Sequence, residues 1–396
     1  MLYSKDAFDI IYVVMKNLIK KFIPPFLLDF YHFSLALLGA VLYGFPSKKL
    51  KVIGVTGTNG KSTIVYMITK ILEEAGRKTA SLSSISFKIR EKEWPNTLKM
   101  TMPGRFKIQK FLRQALNAGC EYVVLEVTSE GIKQHRHEFI DFNTTVFTNL
   151  SKEHIERHGG FEKYKEAKGK LFHACKNIHI INLDDPNADY FWHFPAERKI
   201  GYKYDASLNL KLPGEFNVSN ASAAVQAGLS QGIDLAICKK AVGKIESIPG
   251  RMEKIIGGQF SVIVDYAHTP AALEKVYQTI SGRKICVLGA AGGGRDKWKR
   301  PELGKIAAQY CNEIIVTNED PYDEPPEQIL EDIAKAVPSA QKILDRKEAI
   351  KRALSLAGPG DTVIITGKGC ESWMCVANGK KIPWDDRRIV LGEFKN

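Results

Sequence analysis

Residues 50–63 read Leu-Lys-Val-Ile-Gly-Val-Thr-Gly-Thr-Asn-Gly-Lys-Ser-Thr. After Lys51 the run is β-branched and uncharged, the signature of a buried parallel strand. GTNGKST (57–63) is a glycine-rich turn, and the helical stretch IVYMITKILEEAG follows it to Gly76. Strand, glycine-rich loop and helix together make a phosphate cradle. Backbone N–H groups line the loop, and the helix N-terminus adds positive potential. In this reading Lys61 reaches the β- and γ-phosphates and the Ser62 hydroxyl ligates Mg²⁺. Val55 stands where the phosphate-loop pattern has its first glycine. The context still predicts nucleotide binding through Gly57, Thr58, Asn59, Gly60, Lys61, Ser62 and Thr63.

Working outward, EYVVLEV (121–127) is a second buried strand, with Glu126 at its carboxyl end. A carboxylate there, beside a phosphate loop, is placed to hold magnesium. The strand TTVFTNL (144–150) is expected to deliver Ser151, Glu153 and His154 to the same sheet edge. Further on, FSVIVDY, KICVLGA, EIIVT and DTVIIT are apolar strands, each followed by a polar or glycine-rich loop. Helical stretches such as PELGKIAAQYC and ILEDIAKAV lie between some of them. That alternation predicts an α/β fold with a second, doubly wound sheet, and ligands bind outside the carboxyl ends of such strands.

The whole chain has 396 residues, and its composition is that of a folded globular protein. Its 57 Lys and Arg against 44 Asp and Glu give a net charge of +13, which favours an anionic partner. Neither a basic-aromatic platform nor a nucleic-acid-binding module occurs, so nucleic acid is not the expected partner. A nucleotide-switch protein would need a base-reading Asn-Lys-x-Asp motif, which is absent. The 7 cysteines are scattered, without Cys-x-x-Cys, so no zinc ribbon or disulfide framework is predicted and a reducing cytoplasm is the natural compartment.

The first fifty residues differ from the rest. Residues 8–23 are amphipathic at helical spacing, with Lys16, Lys20 and Lys21 among apolar residues, and Pro24 and Pro25 break that segment. The uncharged run Phe33 to Phe45 is shorter than the roughly 20 residues a membrane span needs. A membrane span, contact of residues 1–46 with the inner face of a membrane, and packing of a helical pair on the next domain are the three expectations.

The strings TGTNGKST, EVTSEGIKQHR, FTNLSKEHIERHG, EKYKEAKGKLF, NLDD, GEFNVSNASAA, GRME, VDYAHTP, GGGRDKWKRP and ITGKGCES follow one another in one order. Together they resemble the Mur ligases, and among them the UDP-N-acetylmuramoyl-tripeptide synthetases, over roughly residues 50–390. The resemblance implies an ATP-dependent ligase of peptidoglycan precursor synthesis. A peptide carboxylate attacks the γ-phosphate of ATP, and an amino-acid amine then attacks the acyl phosphate. It also implies a leader (1–48), a central ATP-binding domain (49–246) and a C-terminal, Rossmann-like amino-acid domain (247–396).

Residue by residue, the resemblance implies two Mg²⁺ ions. One lies at Ser62 and Glu126; the other lies at His154 and a carbamylated Lys168. With Lys61, these residues form the expected catalytic set. Asn217 and Asn220 are carried over to the adenine, Arg251 to a phosphate, and Asp265 and His268 to the nucleoside. Thr101, Ser129, Gln134 and Arg136 are carried over to the muramyl-peptide acceptor. Arg300, Asp320, Tyr322, Gly367 and Glu371 are expected around the incoming amino acid.

Three departures qualify the resemblance. The family places a uridine-binding domain ahead of the phosphate loop, whereas apolar sequence precedes it here, which raises a lipid-linked acceptor as an alternative to a UDP-linked one. The Asp-Asn-Pro-Arg that grips diaminopimelate is replaced by Glu319-Asp320-Pro321-Tyr322. Loss of the arginine and gain of Asp320 favour an amino acid with a cationic side-chain end. Finally, Gly-Lys-Gly-His-Glu appears as Gly367-Lys368-Gly369-Cys370-Glu371, and Glu130 replaces a histidine. A folylpolyglutamate synthetase-like ligase and the ATPase subunit of a peptidoglycan-amidating complex are the rival readings; a monomeric enzyme is expected.

Overall fold

The computed structural model describes residues 24–153, 155–256 and 259–394. Residues 8–23, expected to be helical, and His154 lie outside the described residues. The first sheet is formed by β1 (Lys51–Thr56), β2 (Thr79–Leu82), β3 (Ser86–Ile89), β4 (Lys92–Pro95), β5 (Tyr122–Glu126), β6 (Phe142–Phe147), β7 (Ile178–Asn182) and β8 (Arg198–Tyr202). Their order is β4-β3-β2-β5-β1-β6-β7-β8. All neighbours are parallel except at the β2-β3-β4 edge. Alternate residues serve opposite faces. Ile53, Val55 and Val124 pack under the helices Lys61–Glu74 and Glu215–Ser230. Val52, Val123 and Leu125 pack against the helix Arg105–Asn117 on the other side.

The second sheet contains β9 (Glu253–Ile256), β10 (Ser261–Val264), β11 (Lys284–Leu288), β12 (Glu313–Val316), β13 (Gln341–Lys342) and β14 (Thr362–Ile365). The order is β13-β12-β11-β14-β10-β9, with only β9 antiparallel. Helices cover both faces. Leu273, Leu303 and Ile333 pack on one; Ala349, Ile350 and Val390 pack on the other. The chain passes between the sheets through Lys244–Met252, where Ile248 and Arg251 form a bridge.

Prolines 24 and 25 start a helix, Pro25–Leu42, because proline's fixed φ suits the first helical turn. Ala36 and Ala40 are buried, and Gly39 lies close to the backbone of Arg105 and Phe106. The opposite face leaves Phe26, Phe30, Leu38 and Leu42 exposed. Among the described residues no helix is long and apolar enough to cross a membrane.

One cysteine expectation is corrected. Cys286 on β11 and Cys311, which caps the helix Lys299–Tyr310, form a disulfide with their Cα atoms 6.1 Å apart. Their separation of 25 residues carries no motif; the crossover alone brings them together.

Candidate functional site

Parallel pairing aligns Val55 with Glu126 and Thr56 with Phe147, so three strands end at one level. The loop after β1 turns there. Gly60 has φ +82 and a Cβ on it would sit 2.3 Å from Asn220 Oδ1, so this position requires glycine. Asn149 fixes the loop from β6. Its Oδ1 accepts from Asn59 N at 3.0 Å, and its Nδ2 donates to Asn59 O at 3.1 Å. The helix then begins at Lys61.

Ser62 Oγ donates to Glu126 Oε2 at 2.8 Å, and Ser84 N donates to the same oxygen at 2.8 Å. Ser84 Oγ lies 2.7 Å from Ser62 Oγ. Arg251 reaches both hydroxyls at 3.3 Å. A carboxylate and two hydroxyls, all oxygen, suit a hard divalent cation such as Mg²⁺. Lys61 Nζ donates to Thr58 O at 2.7 Å. Burial holds its pKa below the usual lysine value despite Glu126.

Lys168 lies beneath this loop rather than on the cavity wall. Its Nζ donates to Gly57 O at 2.6 Å and sits 4.6 Å from the centre of the Tyr164 ring. Burial, with Lys61 nearby, pushes its pKa well below the lysine range. The uncharged amine is the form that reacts with carbon dioxide to give a carbamate.

A cavity of about 760 Å³ opens between the two sheets, over the loop Thr58–Thr63. Of the expected nucleotide residues, Asn217, Asn220, Arg251, Asp265 and His268 line it. Asn217 donates to Pro213 O at 2.7 Å and accepts from Asn220 at 3.3 Å. Asp265 is turned towards backbone: its oxygens accept from Met252 N at 2.7 Å and Ala267 N at 2.6 Å. Burial, with Lys299 close by, depresses the His268 pKa well below the histidine range, leaving a neutral ring whose Nδ1 lies 3.0 Å from Tyr266 O.

Thr101, Gln134 and Arg136 line the cavity. Arg136 donates to Met102 O and to Gln134 Oε1, while Gln134 donates to Glu130. Ser129 does not: it is buried, with its Oγ 3.1 Å from His158 Nε2.

Around the second sheet Asp320 and Glu371 line the cavity, whereas Arg300, Tyr322 and Gly367 do not. Arg300 is fully buried. It binds Glu324 through two bonds of 2.7 and 2.9 Å and Asp332 at 3.1 Å. It lies inside the helix Lys299–Tyr310, facing away from the cavity. Arg295, in the loop before that helix, takes the cavity position instead. Gly367, with φ +104, makes room for Glu319: a Cβ there would lie 2.5 Å from Glu319 Oε2.

The negative charge expected from Asp320 is already paired. Lys368 Nζ donates to Asp320 Oδ1 at 2.8 Å and to Glu371 Oε2 at 2.9 Å. Lys99 donates to the same two carboxylates from across the cavity. Sequence reasoning missed Lys99, Ser84, Arg295 and Lys299. Arg295 and Lys299 lie within GGGRDKWKRP, but the motif does not show which cation faces inward. Lys299 forms a buried ion pair of 2.9 Å with Glu153, tying the two halves together.

Residues 55–207 match the Mur ligase middle domain, and residues 250–369 match the Mur ligase, glutamate ligase domain. A UDP-N-acetylmuramoyl-L-alanyl-D-glutamate--2,6-diaminopimelate ligase from Syntrophomonas wolfei is 38% identical, over 90% of this chain and 81% of its own. A UDP-N-acetylmuramyl-tripeptide synthetase from Roseiflexus sp. is 34% identical, over 89% and 80%. A solved diaminopimelate ligase of the first type is 32% identical with a TM-score of 0.57, covering 87% of this chain and 78% of that one. A Mycobacterium tuberculosis folylpolyglutamate synthase complexed with ADP shares the fold at a TM-score of 0.70 and 16% identity, over 92% and 96%.

Proposed function

The chain belongs to the Mur ligase family, and from that premise we propose an ATP-dependent ligase that joins an amino acid to a muramyl-peptide acceptor in peptidoglycan precursor synthesis. One observation carries the reading: the Thr58–Thr63 loop, with Ser62 against Glu126, opens into a cavity that also holds the paired carboxylates Asp320 and Glu371.

In this reading residues 49–246 bind ATP and residues 247–396 bind the amino acid. Backbone N–H groups of residues 60–63 and the Lys61 ammonium hold the triphosphate. Asn217, Asn220, Asp265 and His268 flank the nucleoside. Arg136, Gln134 and Thr101 hold the acceptor, whose carboxylate attacks the γ-phosphorus in line as ADP leaves. When bound, Mg²⁺ would supply charge neutralisation: Ser62 and Glu126 would hold one ion, and a carbamylated Lys168 with His154 would hold a second. Lys61 and Arg251 concentrate positive charge where the transferring phosphoryl oxygens gain negative charge. The incoming amine then displaces phosphate from the acyl carbon. Asp320 and Glu371 favour an amino acid with a cationic side-chain end over diaminopimelate. Enclosure between the two sheets protects the acyl phosphate from water.

The test is product analysis by mass spectrometry with ATP, a UDP-linked or lipid-linked muramyl dipeptide, and lysine, ornithine or diaminopimelate. ADP, phosphate and a peptide longer by one residue are expected. ATP hydrolysis without peptide extension for every acceptor would refute it.

A cytoplasmic enzyme touching the inner membrane face is favoured by the exposed apolar face of Pro25–Leu42. The packed helix Arg105–Asn117 carries exposed Lys107 and Lys110, and Lys48 and Lys49 follow nearby. Flotation with phosphatidylglycerol vesicles tests this. Binding that falls with salt and with Leu38→Asp is expected; no flotation at low salt would remove it.

A further inference from the structure

Lys99 lies in the segment between β4 and the helix Arg105–Asn117, on the side of the first sheet. Its side chain crosses the cavity, and its ammonium donates to Asp320 Oδ2 and Glu371 Oε2, both belonging to loops of the second sheet. The two lysines on these carboxylates differ in kind. Lys368 is fully buried, donates also to Trp373 O at 2.6 Å, and lies behind the cavity lining. Lys99 faces the cavity itself.

The backbone at Lys99 is costly. Its φ is +56, the left-handed region that a β-carbon disfavours. The neighbours hold the segment in place: Asn96 donates to Ser83 O at 2.9 Å and to Met100 O at 3.0 Å, and Trp373 Nε1 donates to Thr97 O at 3.1 Å. Burial works against charge on Lys99, but Glu371 and Asp320 outweigh it and hold the ammonium above the usual lysine range. A strained segment thus keeps an alkylammonium where two carboxylates converge on the cavity.

We propose that Lys99 is an intramolecular competitor for the amino-acid subsite, occupying the place of the substrate's side-chain cation until the substrate displaces it. The inference rests on the reading of Asp320 and Glu371 as that subsite. Displacement exchanges one ammonium for another, so the two carboxylates keep a second cation beside Lys368. Affinity for a cationic amino acid is therefore reduced by whatever Lys99 gains from the same two groups.

The test is steady-state kinetics of Lys99→Met with L-lysine as the probe, at saturating ATP and acceptor, beside calorimetric titration of L-lysine into the enzyme. The expected result is a fall in both KM and Kd for L-lysine of about tenfold or more, with the KM for ATP unchanged. n-Butylammonium, which replaces the missing side-chain end, is expected to inhibit the variant competitively against L-lysine and to inhibit the wild type less. An unchanged or raised KM for L-lysine in a variant that melts as the wild type does overturns the proposal. Asp320→Asn separates the two levels. If it raises the KM for L-lysine while Lys99→Met changes nothing, the subsite reading stands and the competitor idea falls. If Asp320→Asn leaves L-lysine kinetics unchanged, the subsite reading falls and the proposal with it.

Discussion

Arg346 and Asp386 are both completely buried, and their contact holds the helix Arg346–Leu356 to the C-terminal helix Asp386–Glu393. Arg346 Nε and Nη2 donate to the two Asp386 oxygens at 2.9 and 2.8 Å, a two-point clamp. Nη2 also donates to Thr366 O at 2.8 Å, and Nη1 to Asn318 O at 3.3 Å. These two carbonyls directly precede Glu319-Asp320 and Gly367-Lys368. Arg346→Met keeps most of the volume but leaves Asp386 buried with only Trp384 Nε1, at 2.8 Å, as donor. Removing one partner of a buried pair costs about 3–5 kcal/mol. For a unit of this size that corresponds to a melting shift of about 6–20 °C, at 2–4 °C per kcal/mol. Urea unfolding followed by tryptophan fluorescence would measure the loss. Arg346→Met/Asp386→Leu removes the stranded charge and is expected to regain at least half of it. Because Asn318 and Thr366 lose their donor, the KM for the amino acid should rise while that for ATP does not. A loss below about 1 kcal/mol, or a double variant no more stable than the single one, would refute this reasoning.

Gly60→Ala places a methyl 2.3 Å from Asn220 Oδ1 at φ +82. Left-handed backbone costs about 1–2 kcal/mol for a residue with a β-carbon, so ATP affinity should fall about tenfold or more; unchanged nucleotide titration would count against the loop's role. Lys168→Ala is expected to lose ligation and to regain part of it with acetate or propionate as a substitute carboxylate, and full activity without rescue would exclude carbamylation. Burial depresses His137 to about 3. The unfolded chain therefore binds the proton from about pH 6.5 downward while the folded chain does not, and stability falls with falling pH. At about 1.4 kcal/mol per unit, the loss between pH 6.5 and 5 is about 2 kcal/mol. His137→Asn should remove that part of the slope in urea titrations at pH 7 and 5; an unaltered slope would assign it elsewhere.

The strands around the cavity were legible because each is a charge-free, β-branched run stopped by a polar loop. What escaped was placed by tertiary contact. TTVFTNL looked like a strand through Leu150, yet β6 ends at Phe147, and Asn149 turns out to clamp Asn59. The β3–β4 edge carries no periodic apolar signal, and its residues are half-buried or exposed. In GGGRDKWKRP the helix begins at Lys299, which carries Arg300 to the far side and leaves Arg295 in the loop. Lys99 belongs to no motif at all. It became visible only when two sheets, far apart in sequence, were seen to face one cavity.

That facing also relocates the net charge. Read from the sequence, +13 suited ATP and an anionic acceptor. Among the described residues, however, the cavity is lined by eight basic and nine acidic side chains, so the excess is carried elsewhere. Inside, each cation answers a separate local demand. Lys61 and Arg251 serve the phosphate loop, Lys99 the carboxylate pair, and Lys299 the buried Glu153. A balanced lining is what sequential chemistry requires, since a uniformly positive one would hold ADP and phosphate as firmly as it attracts ATP. The surplus is then free to act at longer range. Lys48, Lys49, Lys107 and Lys110 are exposed near the helix whose apolar side is uncovered. In the proposed membrane contact, charge and apolar surface act together, because each alone gives only weak, reversible binding.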